Sequence, residues 1–320
     1  MILILTDKDD VHANAVIEHL KRWEAPFVRL NQDVDSLLQT KLTYDLRGWS
    51  VSSPAGCFTS DQVTSVWMRK SYVHTSLERS SDNSPDFKIW KSEWNKTLQG
   101  LYSCLDGARW FTPFREVFRA ENKYLQMRIA TDCGLCIPPT IISNNKADLL
   151  AFAEQHQRVA LKLMHQDVYR MDDGSYKGLY TNVLTPEDFV AFQEEGENTI
   201  VLQKYVEKQY EVRYTVVGDQ HFVARIDSQA SDISRTDWRR YDLQSTPYTE
   251  IKPPAEIRSQ VQAFMKRVEL NYGGIDFIVN QDGEWVFLEI NALGQYLWIE
   301  DLTGLPISEA IAHWLHHQIK

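Results

Sequence analysis

The chain has no apolar run approaching a membrane span, no stripe of basic residues and only four cysteines. Each shortage excludes something. A membrane-spanning helix needs about 20 consecutive apolar residues, and none is present. The opening Met1-Ile2-Leu3-Ile4-Leu5-Thr6-Asp7 has no basic flank and meets Asp7 too soon for a signal peptide. It reads as a first buried strand, and the expected location is the cytoplasm. A net charge of −10 argues against nucleic acid as a partner. Cys133 and Cys136 form a CxxC, but no second pair completes a zinc site. They also fall at an expected helix C-terminus, where the dipole does not favour a thiolate. The nine histidines are scattered, and no Ser/His/Asp or Cys/His set stands out. There is no internal repeat and no low-complexity segment. What remains is 320 residues, 43% hydrophobic and 24% charged, an ordinary globular composition with room for two or three domains.

The most informative stretch is Tyr272 to Asn291. Two β-branched and aromatic runs flank Asp282-Gly283, a hairpin signal. A two-residue turn there places Asp276 opposite Glu289. Asn291, two residues on, points to the same face and opposes Gly274, which has no side chain to obstruct it. Opposed carboxylates sit about 5 Å apart and repel. A hard divalent cation held by carboxylate and amide oxygens would neutralise them; a solvated polar face on an ordinary hairpin is the plainer alternative.

Residues 1–31 read as strand, helix, strand. Residues 40–60 suggest short hairpin strands, Val63 to Arg69 another strand, Asp86 to Leu105 a helix, and Arg115 to Thr131 one long helix with Gly134 as its C-cap. Residues 140–206 alternate short strands and helices, including a helix 186–195. From 210 the chain is strand-rich, ending in a helix 306–319.

Other residues in this order carry chemistry. Lys162 sits within an apolar strand and needs an anion or an edge. Gln203-Lys204-Tyr205-Val206 follows a buried strand, where a turning chain exposes backbone groups able to read a flat heterocycle. Glu211 and Arg213 share a strand face, and Arg225 lies in the next strand. With a two-residue turn at Gly218-Asp219, Arg213 faces Ala224, which puts Arg213 and Arg225 on opposite sides. Either that turn is longer or the two arginines do not serve one site.

The order of an anchoring lysine, a glutamine at a linker, Glu and Arg on strands, then Asp, Glu and Asn on a hairpin resembles the ATP-grasp fold across nearly the whole chain. Within that superfamily the sequence is similar to the microviridin-type peptide ligases that make graspetides. The similar runs are Val66-Trp67-Met68-Arg69, Arg119-Ala120-Glu121-Asn122-Lys123, Ile226-Asp227-Ser228-Gln229, Asp237-Trp238-Arg239-Arg240-Tyr241, Glu289-Ile290-Asn291 and Gly294-Gln295-Tyr296-Leu297-Trp298-Ile299-Glu300.

The resemblance implies an α/β (α+β) ATP-grasp fold. An N-terminal α/β domain would span 1–133, a small central domain 134–206, and a C-terminal antiparallel-sheet domain with the metal site 207–320. It implies that Lys123 and Lys162 contact ATP phosphates and that Gln203, Lys204, Tyr205 and Val206 line adenine, with Glu211 also on the nucleotide. Asp276, Glu289 and Asn291 would hold Mg²⁺, and Arg213 and Arg225 would steady the transferred phosphoryl group. The partner would be a ribosomal precursor peptide, leader plus core, whose carboxyl side chains are joined to its hydroxyl or amine side chains; similar enzymes are commonly homodimers. One departure is Ala292, where relatives often carry proline. Two rival readings are a ligase adding an amino acid to a peptide or protein terminus and a nucleotide-binding regulator that has lost hydrolysis; the intact triad argues against the second. Two peptide contacts are expected. Arg239 and Arg240, beside Trp238, form a charged fork for an acidic core peptide. Glu194 and Glu195, at the unfavourable end of the helix 186–195, would meet a basic leader residue; the bland alternative there is a solvated face.

Overall fold

A computed structural model of the protein describes residues 1–75, 82, 84–164, 168–170, 173, 175–178, 181–193, 195–230 and 246–317. The first segment contains β1 (Ile2–Thr6), α1 (Val11–Arg22), β2 (Phe27–Asn31), α2 (Val34–Leu37), β3 (Lys41–Tyr44), β4 (Trp49–Ser53), β5 (Gly56–Thr59), β6 (Ser65–Met68), α3 (Pro85–Ser103), β7 (Arg109–Trp110), α4 (Phe114–Glu121) and α5 (Lys123–Asp132). Strands β2-β1-β6-β7 form a parallel sheet, and β3-β4-β5 a small antiparallel one. Every residue of β1 is buried, as a parallel strand covered on both faces requires. Asp10 caps α1 by accepting from the backbone N–H groups of His12 and Ala13.

The expected single helix over Arg115 to Thr131 is two. The chain breaks at Asn122, whose extended ψ of 112° ends α4 and whose side chain caps α5 by accepting from Leu125 N–H. An asparagine gains more from capping orphan N–H groups than from continuing a helix.

The central segment contains β8 (Thr140–Asn145), α6 (Lys146–His156), β9 (Val159–Lys162), β10 (Val168–Arg170), β11 (Tyr176–Gly178), β12 (Asn182–Leu184) and β13 (Glu195–Lys204). Its main sheet runs β12-β9-β13-β8. The helix expected over 186–195 is absent. Thr185 and Asp188 do form the capping box, but the turn is a short 3₁₀ helix from Pro186 to Ala191, Phe192 is extended, and Glu195 opens β13 opposite Asn145. Phe189 is drawn into the central core, and the Thr199–Leu202 run commits the chain to the sheet. No helix dipole therefore bears on Glu195, and Glu194 lies outside the described residues.

The last segment contains β14 (Lys208–Val217), β15 (Gln220–Ile226), β16 (Tyr248–Glu250), α7 (Ala255–Val268), β17 (Tyr272–Asn280), β18 (Trp285–Asn291), α8 (Leu297–Thr303) and α9 (Ile307–His316). Its antiparallel sheet is ordered β16-β15-β14-β17-β18. The expected final helix 306–319 is α9, and α8 was not anticipated.

The first and last segments share two continuous cores. In one, Leu3, Leu5 and Val66 join Val216, Phe264 and Phe287; in the other, Ile2, Ile4 and Trp67 join Val217, Tyr272 and Ile311. The central segment has its own small core of Leu149, Ala153, Val159, Phe189 and Leu202.

Candidate active site

Asp276 pairs with Glu289, Ile275 with Ile290 and Gly274 with Asn291, the register expected from the hairpin. The turn that produces it is different. Asn280 and Glu284 close a three-residue loop, with Gly283 at φ +81° and the Asn280 side chain accepting from the N–H groups of Asp282 and Glu284. That loop offsets the pairing by one residue, and a bulge at Leu288, between the Phe277↔Phe287 and Asp276↔Glu289 pairs, restores it. Two unforeseen irregularities cancel.

Asp276, Glu289 and Asn291 therefore share one face of the sheet with Arg213, which is paired with Asp276 across β14 and β17. This face is already charge-compensated. Arg213 Nη1 donates to Asp276 Oδ1 at 2.9 Å, Asn291 Nδ2 donates to Asp276 Oδ2 at 3.1 Å, and Lys123 Nζ forms an ion pair with Glu289 Oε2. Lys123 is the first residue of α5, so the break at Asn122 aims it at the carboxylate.

Arg213 is almost fully buried. Burial works against its charge, but Asp276, with Tyr272 and Glu289, outweighs it and raises the guanidinium pKa. Its Nη2 donates to Gln295 O at 3.0 Å, while Nε is buried without a hydrogen-bond partner. Two glycines make its slot: a Cβ on Gly274 would lie 2.5 Å from Nη2, and one on Gly294 2.7 Å.

Arg225 is not brought to this face. The turn at Gly218-Asp219 has two residues, Val212 pairs with Arg225 and Arg213 with Ala224. Successive residues alternate faces, so Arg225 lies on the opposite side. There it stacks over Tyr210, 4.1 Å from the ring centroid, and ion-pairs with Asp227 at 2.6 Å. The two arginines expected on the phosphoryl group therefore stand on opposite faces of the sheet, as a two-residue turn requires.

Beside the carboxylates, Lys123, Gln126, Met127, Lys162, Val201, Gln203, Leu288 and Glu289 line a narrow cleft between the central sheet and β18. Gln203 is buried; its Nε2 donates to Thr140 Oγ1 at 3.1 Å and its Oε1 has no hydrogen-bond partner. Lys204, Tyr205 and Val206 line a separate cavity of about 350 Å³ with Cys136, Pro139 and Val286. The Lys204 N–H is taken by Pro139 O and the Tyr205 N–H by Arg158 O. Glu211 is buried and accepts from Lys208 Nζ at 2.5 Å and Ser228 Oγ at 2.8 Å. Trp238, Arg239 and Arg240 lie outside the described residues. Burial pushes the Cys136 thiol up to about 11, the reverse of a reactive cysteine.

Sequence reasoning gave no role to Lys208 or Gln126, both buried polar residues here. It also gave Arg69 no role. Arg69 donates to Leu293 O at 2.9 Å, Tyr272 Oη to Gly294 O at 2.7 Å, and Arg213 to Gln295 O, so three consecutive carbonyls after the hairpin are held by buried donors. The sequence trace was that Val66 to Arg69 and Gly294 to Glu300 both stood among the runs that carry the resemblance.

The RimK-like ATP-grasp domain model matches residues 120–315. The chain belongs to the RimK-like ATP-grasp family. The MvdD pre-ATP grasp domain model matches residues 1–117. Solved ATP-grasp structures agree over the full length. A RiPP-associated ATP-grasp ligase from Chryseobacterium gregarium, in complex with ADP and a leader and core peptide, is 26% identical with a TM-score of 0.89, covering 100% of this chain and 97% of that one. The macrocyclase MdnC from Microcystis aeruginosa, bound with precursor peptide MdnA, is 28% identical with a TM-score of 0.86, covering 98% and 99%. The macrocyclase MdnB from the same organism is 30% identical with a TM-score of 0.77, covering 98% of each chain. No curated protein sequence matches the chain. The protein is an ATP-dependent ligase of the ATP-grasp fold.

Proposed function

We propose that this ATP-grasp ligase closes side-chain rings in a ribosomal precursor peptide. The observation that carries the reading is the single face bearing Asp276, Glu289, Asn291 and Arg213, on a chain similar end to end to two macrocyclases. A carboxylate is a poor electrophile because its leaving group is oxide. Transfer of a phosphoryl group from ATP to an Asp or Glu side chain of the peptide gives an acyl phosphate and ADP. A hydroxyl or amine of the same peptide then attacks the acyl carbon and phosphate leaves, so each ring removes one water.

The residues present fit a divalent cation. Asp276, Glu289 and Asn291 offer only oxygen donors on one face, the donor set of a hard ion such as Mg²⁺, which would neutralise phosphate charge there. Lys123 and Lys162 supply positive charge to the cleft. Gln203 Oε1, buried and unpartnered, suits an exocyclic amine of the base. Arg213, preformed and charged, faces the same carboxylates with a spare N–H for a developing anion. We place the reaction in the cytoplasm, with the peptide rather than nucleic acid or a membrane as partner and a homodimer as the working form. The three-part division at 134 and 207 puts the base at the junction of the central and last parts.

The test is the intact mass of a candidate precursor peptide after incubation with the protein, ATP and Mg²⁺. Loss of one water per ring is expected. A mass gain equal to an added amino acid would establish the rival ligase reading, and an unchanged peptide of the matching leader would overturn the proposal.

A further inference from the structure

We propose that Gln126 is a positioning residue for the metal-binding strand, fixing Glu289 and Asn291 through the backbone between them; this rests on the function proposed above. β18 is the edge of its sheet, so its outward N–H groups have no strand to pair with. Two find other acceptors. The Phe287 N–H donates to Cys136 O at 2.7 Å. The Ile290 N–H donates to Gln126 Oε1 at 3.0 Å, and this bond is buried. Ile290 stands between Glu289 and Asn291, so the one side chain on its N–H sets the strand where both donors emerge. The spacing of three between these outward donors, instead of the usual two, follows from the bulge at Leu288.

The other end of the same amide reaches the next piece of the site. Gln126 Nε2 donates to Ala120 O at 3.3 Å and Glu121 O at 3.4 Å, carbonyls that the end of α4 leaves without helical partners. Both immediately precede the break at Asn122 from which Lys123 projects to Glu289. One side chain, 1% exposed, thus ties the origin of Lys123 to the strand that carries its carboxylate partner. Only a primary amide does this, because an acceptor must face β18 and a two-hydrogen donor must face α4. Supports of this kind, one bond removed from metal donors, commonly change metal affinity about 10–100-fold when removed. A glutamine that merely joined helix to sheet would change stability and leave the response to metal alone.

The experiment is calorimetric titration of ADP into the full chain with Mg²⁺ and, separately, with EDTA. In the wild-type chain Mg²⁺ is expected to tighten ADP. In Gln126→Met, which keeps the length but loses both hydrogen-bonding ends, that tightening should shrink about tenfold, while the affinity in EDTA is unchanged. Hydrogen exchange of the Ile290 amide should become fast in Gln126→Met. It should stay slow in Gln126→Glu, which keeps an oxygen for it. An unchanged Mg²⁺ effect in Gln126→Met, or equal weakening with and without Mg²⁺, overturns the inference alone. A wild-type affinity indifferent to Mg²⁺ overturns the metal assignment and this inference with it. Should Gln126→Met fail to fold, the same readouts on Gln126→Glu carry the test: loss of the Mg²⁺ effect with the Ile290 amide still protected would overturn it.

Discussion

The first and last segments differ from the central one in how they are held, and the site straddles the difference. The outer two share both large cores, and polar bonds cross their seam: Arg69 to Leu293 and Gly294, Tyr296 to His12 O, and Leu297 N–H to His12 Nδ1. The central sheet buries a far smaller group around Leu149, Phe189 and Leu202. The charged machinery of Asp276, Glu289, Asn291 and Arg213 stands on the fused block, while Lys162 and Gln203 stand on the lightly cored sheet. The groups proposed to position the phosphoryl transfer thus stand on the block with the larger cores, where geometry is best held. The proposed nucleotide contacts sit on the sheet with the smaller core, where local opening is expected to cost less.

The comparison breaks most sharply at the charged face. Arg213→Lys keeps a positive charge but not a fork that spans Asp276 and Gln295 O, so peptide turnover should fall about a hundredfold or more. Arg225→Lys, on the opposite face, should change it little. Equal losses in the two variants would mean that the two faces act as one site.

Glu289→Gln should likewise abolish turnover, because the proposed metal donor set loses a charge. From the hairpin alone, removing one of two opposed carboxylates should relieve repulsion and stabilise the metal-free protein. The structure alters that expectation, since Lys123 already answers Glu289 and Arg213 answers Asp276. Thermal unfolding without metal should therefore show no gain in Tm; a clear gain would mean the carboxylates are uncompensated in solution.

These cases show how much was legible in advance. The pairing of Asp276 with Glu289 could be read because side-chain alternation on a strand has period two. It survived because a three-residue loop, whose left-handed Gly283 a two-residue turn could equally have used, and a bulge at Leu288 that no residue type signals cancel each other. The separation of Arg213 from Arg225 was legible for the same reason, through a turn that did have its simplest length. The helix at 186–195 misled because Thr185, Pro186, Glu187 and Asp188 are real helix-start signals, while the competing demand of β13 for a partner beside β8 is tertiary. Gln126 and Lys208 were invisible, since burial of a polar side chain depends on which strand edge or carboxylate meets it.

A smaller effect sharpens the contrast between the two regions. Phe189→Ala removes the largest buried side chain of the central core and should cost about 3–5 kcal/mol there. The loss should appear as faster hydrogen exchange and proteolysis across 140–204, with Phe264 and Phe287 in the outer block still protected. Uniform loss of protection along the whole chain would show that the two regions unfold as one.

The smallest expected effect lies on the seam of the block itself. Burial first, and Arg69 second, lower the His12 pKa from 6.5 to about 4, with Asp10 pulling the other way. His221, at the other end of the same block, is lowered to about 4 by burial and Arg258, opposed by Asp219. Both imidazoles are therefore neutral in the folded state and ordinary in the unfolded one, and neutral His12 Nδ1 accepts from Leu297 N–H. Between pH 6.5 and 4 the unfolded chain binds the extra protons, so stability falls as pH falls through that window and the contribution levels off below it. Each histidine adds a slope approaching ~1.4 kcal/mol per pH unit in mid-window, less for the partly exposed His221. The Asp10 carboxyl, held below its ordinary 3.8 mainly by Arg69 and Thr6 against the cost of burial, titrates beneath the window and does not confuse it. His12→Gln keeps an acceptor for Leu297 N–H and removes the proton. Urea unfolding of this variant at pH 7, 6 and 5 should therefore show a shallower loss of stability than wild type. An identical slope would mean that His12 is solvated and that the seam between the first and last segments is looser than the rest of the block.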